Sequence, residues 1–362
     1  MYLKDLVDIQ MGQSPDSKFY NNDKIGLPFY QGKADFGRIN PIPKIWCSKS
    51  KKEAKPNDIL ISVRAPVGDL NINNEQSCIG RGLAAITCKS DIDMMYLYYH
   101  LKYLKPQLRH ISTGSTFESI NRSQLENLII DYKPYSEQIK ISNILQVVQR
   151  QIEVREKLLR LYDLLIKSRF VEMFGIFNIN PNNYNTIKFK DLIEQNNINE
   201  EELVWLLNLD MIKSNTGEIV EKVYINKQNI PTSSISFKKG TVLYSKLRPY
   251  LNKVVIADEN GYGTSELIPL NSYKNGLTAE YLAFYLRQDS FVEYIKDKVT
   301  GAKMPRVAMD ILRNIDIIQP NCIYQEQFSS LVNHVNKLKS DIQKSIDEAQ
   351  LLMDSLMQEY FG

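Results

Sequence analysis

The two halves of this 362-residue chain carry the same short strings in the same order, and this repeat constrains the fold more than any other feature. The matching pairs are residues 4–7 with 190–193, 58–63 with 241–245, Pro66 with Pro249, Gly80 with Gly263, 113–114 with 300–301, and 174–175 with 361–362. Similarity within a chain at a long, nearly constant spacing indicates a duplicated structural unit. The sequence therefore predicts two copies of one architecture.

Each copy consists of a mixed segment followed by a long helix. Residues 136–174 contain no glycine or proline, and apolar residues recur on alternating steps of four and three, the spacing of an imperfect coiled-coil seam. Pro134 before this stretch and Gly175 after it are typical of a helix start and a helix end. Residues 326–360 repeat the pattern, so two long helices are predicted.

The predicted fold class is α+β, with two mixed α/β domains joined by two long antiparallel coiled-coil helices in a pseudo-two-fold internal repeat. The predicted domains are 1–134 and 178–320, and the helices occupy 135–177 and 321–362. Short apolar runs predict strands at 59–63, 82–87 and 253–257, and helices are predicted at 94–104 and 279–286. The first long helix carries a net positive charge and the second a net negative charge, which favours pairing with each other. The alternative is that each helix packs only on its own domain.

The composition is that of a globular protein, with 43% hydrophobic and 24% charged residues. No run of about 18 apolar residues is present and the first ten residues lack a signal-peptide pattern, so a cytoplasmic protein is expected. The four cysteines form no CxxC pair, which argues against a zinc site or a disulfide framework. A net charge of +3 permits a polyanionic partner without requiring one.

Motifs for catalysis are missing from the sequence. It contains no GxGxxG string and no P-loop, and the nearest strings to the Pro-Pro-aromatic loop of an amino-methyltransferase, at 131–135 and 180–184, depart from that pattern. It also lacks the clustered carboxylates of a metal-dependent nuclease. We therefore expect a chain without catalytic residues, metal ligands or a cofactor of its own.

Polar loops rich in cationic and hydrogen-bonding residues recur in both halves, and such loops place side chains on DNA phosphates and base edges. The alternative for each residue is a solvated turn. In the first half the predicted DNA-contact residues are Gln31, Lys33, Arg38, Arg64, Arg81, Thr113, Ser115 and Arg122. In the second half they are Tyr244, Lys246, Arg248, Tyr250, Asn252, Lys253, Thr264, Ser265, Lys303 and Arg306.

The sequence resembles the specificity (S) subunit of type I restriction-modification systems over its whole length. The resemblance rests on LPFYQGKADFG at 27–37, LYSKLRPYL at 243–251, the Glu-Gln pairs at 137–138 and 326–327 that open the helices, and the two Phe-Gly endings. One departure lies at 62–68, where the first half has SVRAPVG in place of the Lys-Leu-Arg-Pro-Tyr form. We therefore expect the two halves to read different bases.

The resemblance implies two target recognition domains, each reading half of a bipartite, asymmetric DNA site, with the paired helices fixing the gap. It also implies partners: two methyltransferase subunits that use S-adenosylmethionine to methylate adenine, and often a restriction subunit that uses ATP and Mg²⁺. Those cofactors would belong to the partners. Two other readings stay open, a stand-alone DNA methyltransferase or nuclease and a coiled-coil adaptor that binds protein only.

Overall fold

A computed structural model describes residues 1–112, 118–180, 182–194, 198 and 202–362. The described chain divides into two compact units, Met1–Glu156 with Lys344–Gly362, and Lys157–Gln343. Both boundaries fall inside long helices, α5 (Tyr135–Phe174) and α10 (Cys322–Phe361). The two long helices predicted from the sequence are thus confirmed, and α10 begins one residue after the predicted bound of 321, where the Asn321 side chain accepts from the Ile323 N–H at 3.0 Å.

The first unit contains two sheets built from short strands. The strands are β1 (Val7–Met11), β2 (Tyr20–Asn21), β3 (Leu27–Tyr30), β4 (Trp46–Cys47), β5 (Glu53–Ala54), β6 (Ile59–Ser62), β7 (Leu70–Ile72), β8 (Ser77–Ile79) and β9 (Leu83–Cys88). One sheet has the order β1-β9-β6-β7 and is antiparallel, and the other has the order β2-β4-β3-β8-β5 with β3 parallel to β8. The shorter helices are α1 (Leu3–Leu6), α2 (Met94–Tyr103), α3 (Lys105–Ile111) and α4 (Arg122–Glu126).

The second unit repeats this layout. Its strands are β10 (Asn185–Lys188), β11 (Leu203–Leu207), β12 (Val223–Asn226), β13 (Ile235–Phe237), β14 (Val242–Ser245), β15 (Val254–Ile256), β16 (Gly261–Gly263), β17 (Leu267–Leu270), β18 (Val299–Thr300), β19 (Arg306–Val307) and β20 (Asp316–Gln319). Its helices are α6 (Phe189–Leu192), α7 (Ala279–Arg287), α8 (Asp289–Lys296) and α9 (Met309–Arg313). The antiparallel trio β15-β14-β17 corresponds to β7-β6-β9, and the parallel pair β11 with β16 corresponds to β3 with β8. The chain is therefore an α+β protein with a repeated strand order.

A buried glutamine in each half joins the start of a long helix to the start of a short one. Gln138 and Gln325 are both fully buried, and each accepts a hydrogen bond from one backbone N–H and donates to two backbone carbonyls. The partners of Gln138 are Asp93, Lys133 and Asp91, at 2.8, 2.8 and 3.2 Å, and those of Gln325 are Thr278, Pro320 and Gly276, at 2.9, 2.8 and 3.1 Å. The sequence match of Gln138 with Gln327 is therefore wrong by two residues. The hydrogen-bond partners of Gln325 correspond to those of Gln138, so Gln325 is the residue equivalent to Gln138. Gln327 is exposed.

Each unit packs a short helix against the end of a long helix. In the first unit the ring of Phe361, from α10, meets Tyr96 of α2 edge-on, with ring centres 5.3 Å apart. In the second unit Phe174, from α5, meets Tyr281 of α7 edge-on at 4.9 Å. Both tyrosine hydroxyls donate to a backbone carbonyl, at 2.7 and 2.8 Å. The phenylalanines of the two Phe-Gly strings are thus core residues at the ends of the long helices.

Within each unit, segments of α5 and α10 touch. The Arg155 guanidinium donates to the Ser345 hydroxyl at 2.9 Å in the first unit. In the second unit the Lys339 ammonium lies 2.5 Å from a carboxylate oxygen of Asp163. Long-helix residues also enter both cores, Ile141 and Met353 in the first and Ile166 and Val335 in the second.

Candidate nucleic-acid interface

Three loop segments of the second half are joined by backbone hydrogen bonds into one surface. The Lys246 N–H donates to the Glu266 carbonyl oxygen at 3.0 Å, and the Lys246 carbonyl accepts from the Val307 N–H at 3.1 Å. The Arg248 N–H donates to the Pro305 carbonyl at 2.8 Å. We call this set, residues 245–253, 264–266 and 303–307, the second loop cluster. It gathers most of the DNA-contact residues predicted for this half.

The first half has the same three bonds. The Val63 N–H donates to the Gly82 carbonyl at 2.9 Å, and the Val63 carbonyl accepts from the Ile120 N–H at 2.9 Å. The Ala65 N–H donates to the Glu118 carbonyl at 3.0 Å. Residues 62–68, 80–82 and 118–120 thus form a first loop cluster.

These bonds equate positions in the two halves residue by residue. Val63 matches Lys246, Ala65 matches Arg248, and Gly82 matches Glu266. Arg64 therefore corresponds to Leu247 and not to Arg248. Arg64 is exposed, and its backbone forms an isolated antiparallel β-bridge with Ser119. The half-buried Leu247 forms the same kind of bridge with Arg306. The two clusters share a backbone frame and present different side chains.

Arg248 has the most distinctive backbone of the second cluster. Its φ of +46° lies in the left-handed region, and a residue other than glycine adopts this backbone conformation at a cost of about 1–3 kcal/mol. The side chain is exposed, and its Nη2 lies 3.5 Å from the Lys303 carbonyl oxygen. Tyr250, Ser265 and Lys303 are exposed in the same cluster. Strained backbone of this kind concentrates at functional sites, because surrounding structure must hold it.

Arg306 forms an ion pair with Glu266, which is not among the site residues predicted from the sequence. The guanidinium Nε lies 3.0 and 3.1 Å from the two carboxylate oxygens, and Nη2 lies 2.8 Å from one of them. The hydrogen bonds that the Arg306 guanidinium donates to Glu266, together with the negative charge of that carboxylate, raise the pKa of Arg306. Because the two residues are 40 positions apart in the chain, no local pattern could have indicated the pair.

Two of the residues that the sequence predicts to contact DNA are buried in the structure, which corrects the prediction for them. Tyr244 is 4% exposed in β14, where its ring packs edge-on against Phe189 and Phe291. Asn252 is also 4% exposed, and its side-chain nitrogen donates to the Arg287 carbonyl at 2.9 Å. Strand alternation turns the first inward, and the left-handed turn directs the second into the domain. Neither presents a side chain for DNA contact.

Other predicted residues of the second half are partly engaged within the protein. Lys246, Lys253 and Thr264 are half-buried. The Lys253 ammonium donates to the Leu209 carbonyl at 2.6 Å, and the Thr264 hydroxyl accepts from the Glu266 N–H at 3.3 Å. The side chains of Lys253 and Thr264 thus form hydrogen bonds within the protein.

Several predicted residues of the first half form ion pairs within the protein. Lys33 pairs with Asp69 at 2.8 Å, and Arg122 pairs with Glu126 of its own helix at 2.7 Å. Arg38 binds carboxylates of α5, those of Glu153 and Glu156, at 3.4 and 2.6 Å. Gln31 and Arg81 are exposed, with Arg81 in the first loop cluster. Thr113 and Ser115 lie outside the described residues.

The described residues were also searched for metal and membrane features. They contain no group of three or more His, Cys, Asp or Glu side chains arranged to hold a metal ion. In the same part of the chain no helix combines the length and apolar character needed to span a bilayer.

The N-terminal part of this chain is similar to known proteins. Residues 1–161 match the family model described as the type I restriction modification DNA specificity domain. Over 150 residues the chain is 44% identical to the putative type I restriction enzyme MjaX specificity subunit of Methanocaldococcus jannaschii, covering 41% of this chain and 35% of that subunit. The type I restriction enzyme MjaIX specificity subunit of the same organism is 22% identical across 98% of this chain and 90% of its own length.

A solved structure extends the likeness to the whole fold. The S subunit of a type I restriction-modification system from M. genitalium superposes with a TM-score of 0.59 at 14% identity, covering 100% of this chain and 95% of that one. Residues 1–161 thus match the type I restriction modification DNA specificity domain, and the fold of the whole chain is similar to that of an S subunit.

Proposed function

We propose that the chain is the DNA sequence-specificity subunit of a type I restriction-modification complex and reads a bipartite, asymmetric target. The observation that carries the proposal is the pair of loop clusters, which have the same three backbone hydrogen bonds and exposed cations in each half. Arginine and lysine on such loops bind phosphates and guanine edges. Because Ala65 stands where Arg248 stands in the other half, the half-sites would differ in sequence.

The proposed layout assigns 1–134 and 178–320 as target recognition domains, and 135–177 and 321–362 as spacer helices related by a pseudo-two-fold axis. The contacts of Arg155 with Ser345 and of Asp163 with Lys339 support an antiparallel coiled-coil pair. A helix of 40 residues is about 60 Å long at 1.5 Å per residue. With a DNA turn of about 34 Å, half-sites would lie on the order of one to two turns apart.

Exposed apolar side chains on α5 support the proposed docking of methyltransferase subunits. Ile144, Val147 and Val154 are exposed in the first unit, and Leu158, Leu161 and Leu165 in the second. They recur on steps of three, four and seven, as on a helix face that receives another helix. A contiguous exposed apolar surface marks an interaction site. We assign it to helices of the methyltransferase partners.

The proposal leaves catalysis and cofactors to the partners. This chain is a non-catalytic subunit, S-adenosylmethionine would bind the two methyltransferase subunits, and ATP with Mg²⁺ would bind a restriction subunit where one is present. The complex would act in the cytoplasm on double-stranded DNA.

Sequencing of methylated adenines in the host genome, with and without this gene, tests the proposal. We expect a two-part motif with an unspecified gap to be methylated only when the gene is present. A methylation pattern that does not change on deletion, or an uninterrupted motif, would contradict it. Turnover of labelled S-adenosylmethionine by the purified chain alone would instead indicate a stand-alone methyltransferase.

Salt dependence separates a DNA reader from a protein-only adaptor. The assembled complex should bind target DNA with a log-log salt slope of about −0.9 for each phosphate contacted. An affinity that does not depend on salt would identify the chain as an adaptor without a DNA-binding role.

A further inference from the structure

The ion pair between Glu266 and Arg306 joins the two outer segments of the second loop cluster. Glu266 follows β16, and Arg306 lies on β19 of the hairpin formed with β18. Both nitrogen atoms on one edge of the guanidinium bond the carboxylate, at 2.8 to 3.1 Å, and the Glu266 side chain is only 20% exposed. Paired parallel bonds of this type fix the relative orientation of the two groups.

The two ion-paired residues lie on either side of the segment that contains Lys246 and Arg248. On one side Lys246 bonds the backbone of Glu266, and on the other its carbonyl accepts from Val307, next to Arg306. Arg248, two residues further on, bonds the Pro305 carbonyl and approaches Lys303 on the same hairpin. Any shift of the hairpin would therefore move both basic residues.

The first loop cluster lacks this ion pair although its backbone bonds are the same. The equivalent positions are Gly82 and Ser119, as the bonds of Val63 and the bridge from Arg64 to Ser119 show. A Cβ atom at Gly82 would lie 2.3 Å from the Gln31 carbonyl oxygen, so a side chain larger than that of glycine does not fit there. The repeated frame thus forms without the ion pair, which belongs to the second half alone.

We infer that Glu266 and Arg306 are positioning residues that hold the reading loop of the second half in one orientation and sharpen its base discrimination. Arg306 then acts through Lys246 and Arg248, and its own paired edge is unavailable to a base or phosphate. This inference rests on the proposed function. It gives Arg306 a different role from the direct DNA contact that the sequence predicts.

Three variants of the complete complex with its methyltransferase subunits test the inference: Glu266→Gln, Arg306→Gln and the double variant. Initial methylation rates are measured on a DNA panel in which each base of both half-sites is changed singly. Each single variant should lower discrimination at the second half-site by about two- to fivefold, the range of a partly exposed ion pair. The double variant should show no further loss, because the two residues act as one unit. Discrimination at the first half-site and the salt slope should not change.

Arg313→Gln is the matched control, since Arg313 is an exposed arginine of the same domain that pairs with Asp310 at 3.5 Å within α9. It should leave discrimination at both half-sites unchanged. A salt slope that falls by about one phosphate contact in Arg306→Gln, but not in Glu266→Gln, would overturn the inference by assigning Arg306 to DNA. Unchanged discrimination in all three variants would overturn it as well. If Arg306→Gln does not fold, Glu266→Gln carries the same test. Absence of bipartite methylation by the wild-type complex would instead refute the proposed function.

Discussion

Single buried side chains distinguish positions that look equivalent in the sequence. Gln325 bonds three backbone groups in the interior, whereas Gln327, two residues later, is exposed. Replacing Gln325 with leucine would leave those backbone groups without partners, each at a cost of about 1–3 kcal/mol when buried. We expect Gln325→Leu to lower the free energy of unfolding by about 3 kcal/mol or more in urea titrations. Gln327→Leu is the control, with a change within about 0.5 kcal/mol; equal effects would contradict the assignment.

Arg248 is the residue for which the structure supports direct base reading. Its side chain is exposed on a left-handed backbone position, and the first half has Ala65 at the equivalent place. Arg248→Ala should cost about 1–3 kcal/mol in DNA binding and relax a single base position of the second half-site. Binding of the complex to a panel of singly substituted targets measures this. A uniform loss across all sequences would show that Arg248 binds a phosphate.

His100 gives the first unit a pH dependence that the second unit lacks, since Tyr285 is at the corresponding place in α7. Its ring is 2% exposed and lies 4.7 Å from the ring of Phe361, and burial lowers its pKa from 6.5 to about 4. Asp131 opposes this shift, while Lys133 and the N-terminal amine reinforce it. The unfolded chain therefore binds a proton in the range from about pH 6.5 to 4 that the folded chain does not bind.

The free energy of unfolding should consequently fall as the pH drops through that window, by at most about 3 kcal/mol from this group. His100→Phe should remove this part of the pH dependence. Urea titrations of the wild type and the variant at several pH values between 7 and 4 measure the difference. Parallel stability curves for the two proteins would contradict the assignment.

At the scale of elements, each long helix ends in a phenylalanine that completes a core. Phe361 packs on Tyr96 of α2 and Phe174 packs on Tyr281 of α7. Phe361→Ala removes a ring that is 7% exposed, and such losses cost about 3–5 kcal/mol. Hydrogen exchange should then accelerate in α2 and remain unchanged in α7, with the opposite result for Phe174→Ala. Equal acceleration in both helices after either change would show that the two cores are not separate.

The long helices could be predicted from local sequence patterns, whereas the loop clusters depend on contacts between residues that are distant in sequence. The start of α5 was predicted within one residue, because 39 residues without glycine or proline leave few other structures. The heptad spacing is less accurate for the buried face of α10: steps of seven from Leu331 lead to Leu352, yet Leu352 is 51% exposed and Met353 is buried. A helix of 3.6 residues per turn drifts from a 3.5-residue repeat, so the inward residue changes along its length.

Residue type alone was a weak guide to the loop clusters. Tyr244 and Asn252 belong to the polar string that led to the prediction, but both are buried, and no residue type reveals the direction of a side chain in a turn. Glu266 lies 40 positions from its partner Arg306 in the chain, so no local pattern indicates the ion pair. The match of Pro66 with Pro249 in the sequence already equates Ala65 with Arg248, and the backbone hydrogen bonds agree with it.

At the scale of the whole molecule, the repeated backbone frame predicts that the recognition domains are interchangeable. Both are anchored to a long helix by the same glutamine arrangement, that of Gln138 and that of Gln325. A chain in which residues 178–320 are replaced by a copy of 1–134 should therefore still assemble with the methyltransferase subunits. Under the proposed pseudo-two-fold relation, it should direct methylation to two inverted copies of the first half-site.

The gap between half-sites should stay the same in this chimera, because the two long helices that would set it are unchanged. Sequencing of methylated adenines in cells that carry only the chimera measures both the motif and the gap. The wild-type chain in the same host is the control and should give the asymmetric motif. Retention of the second half-site by the chimera would mean that residues outside 178–320 read it. A symmetric motif with a changed gap would mean that the recognition domains, and not the helices, determine the spacing.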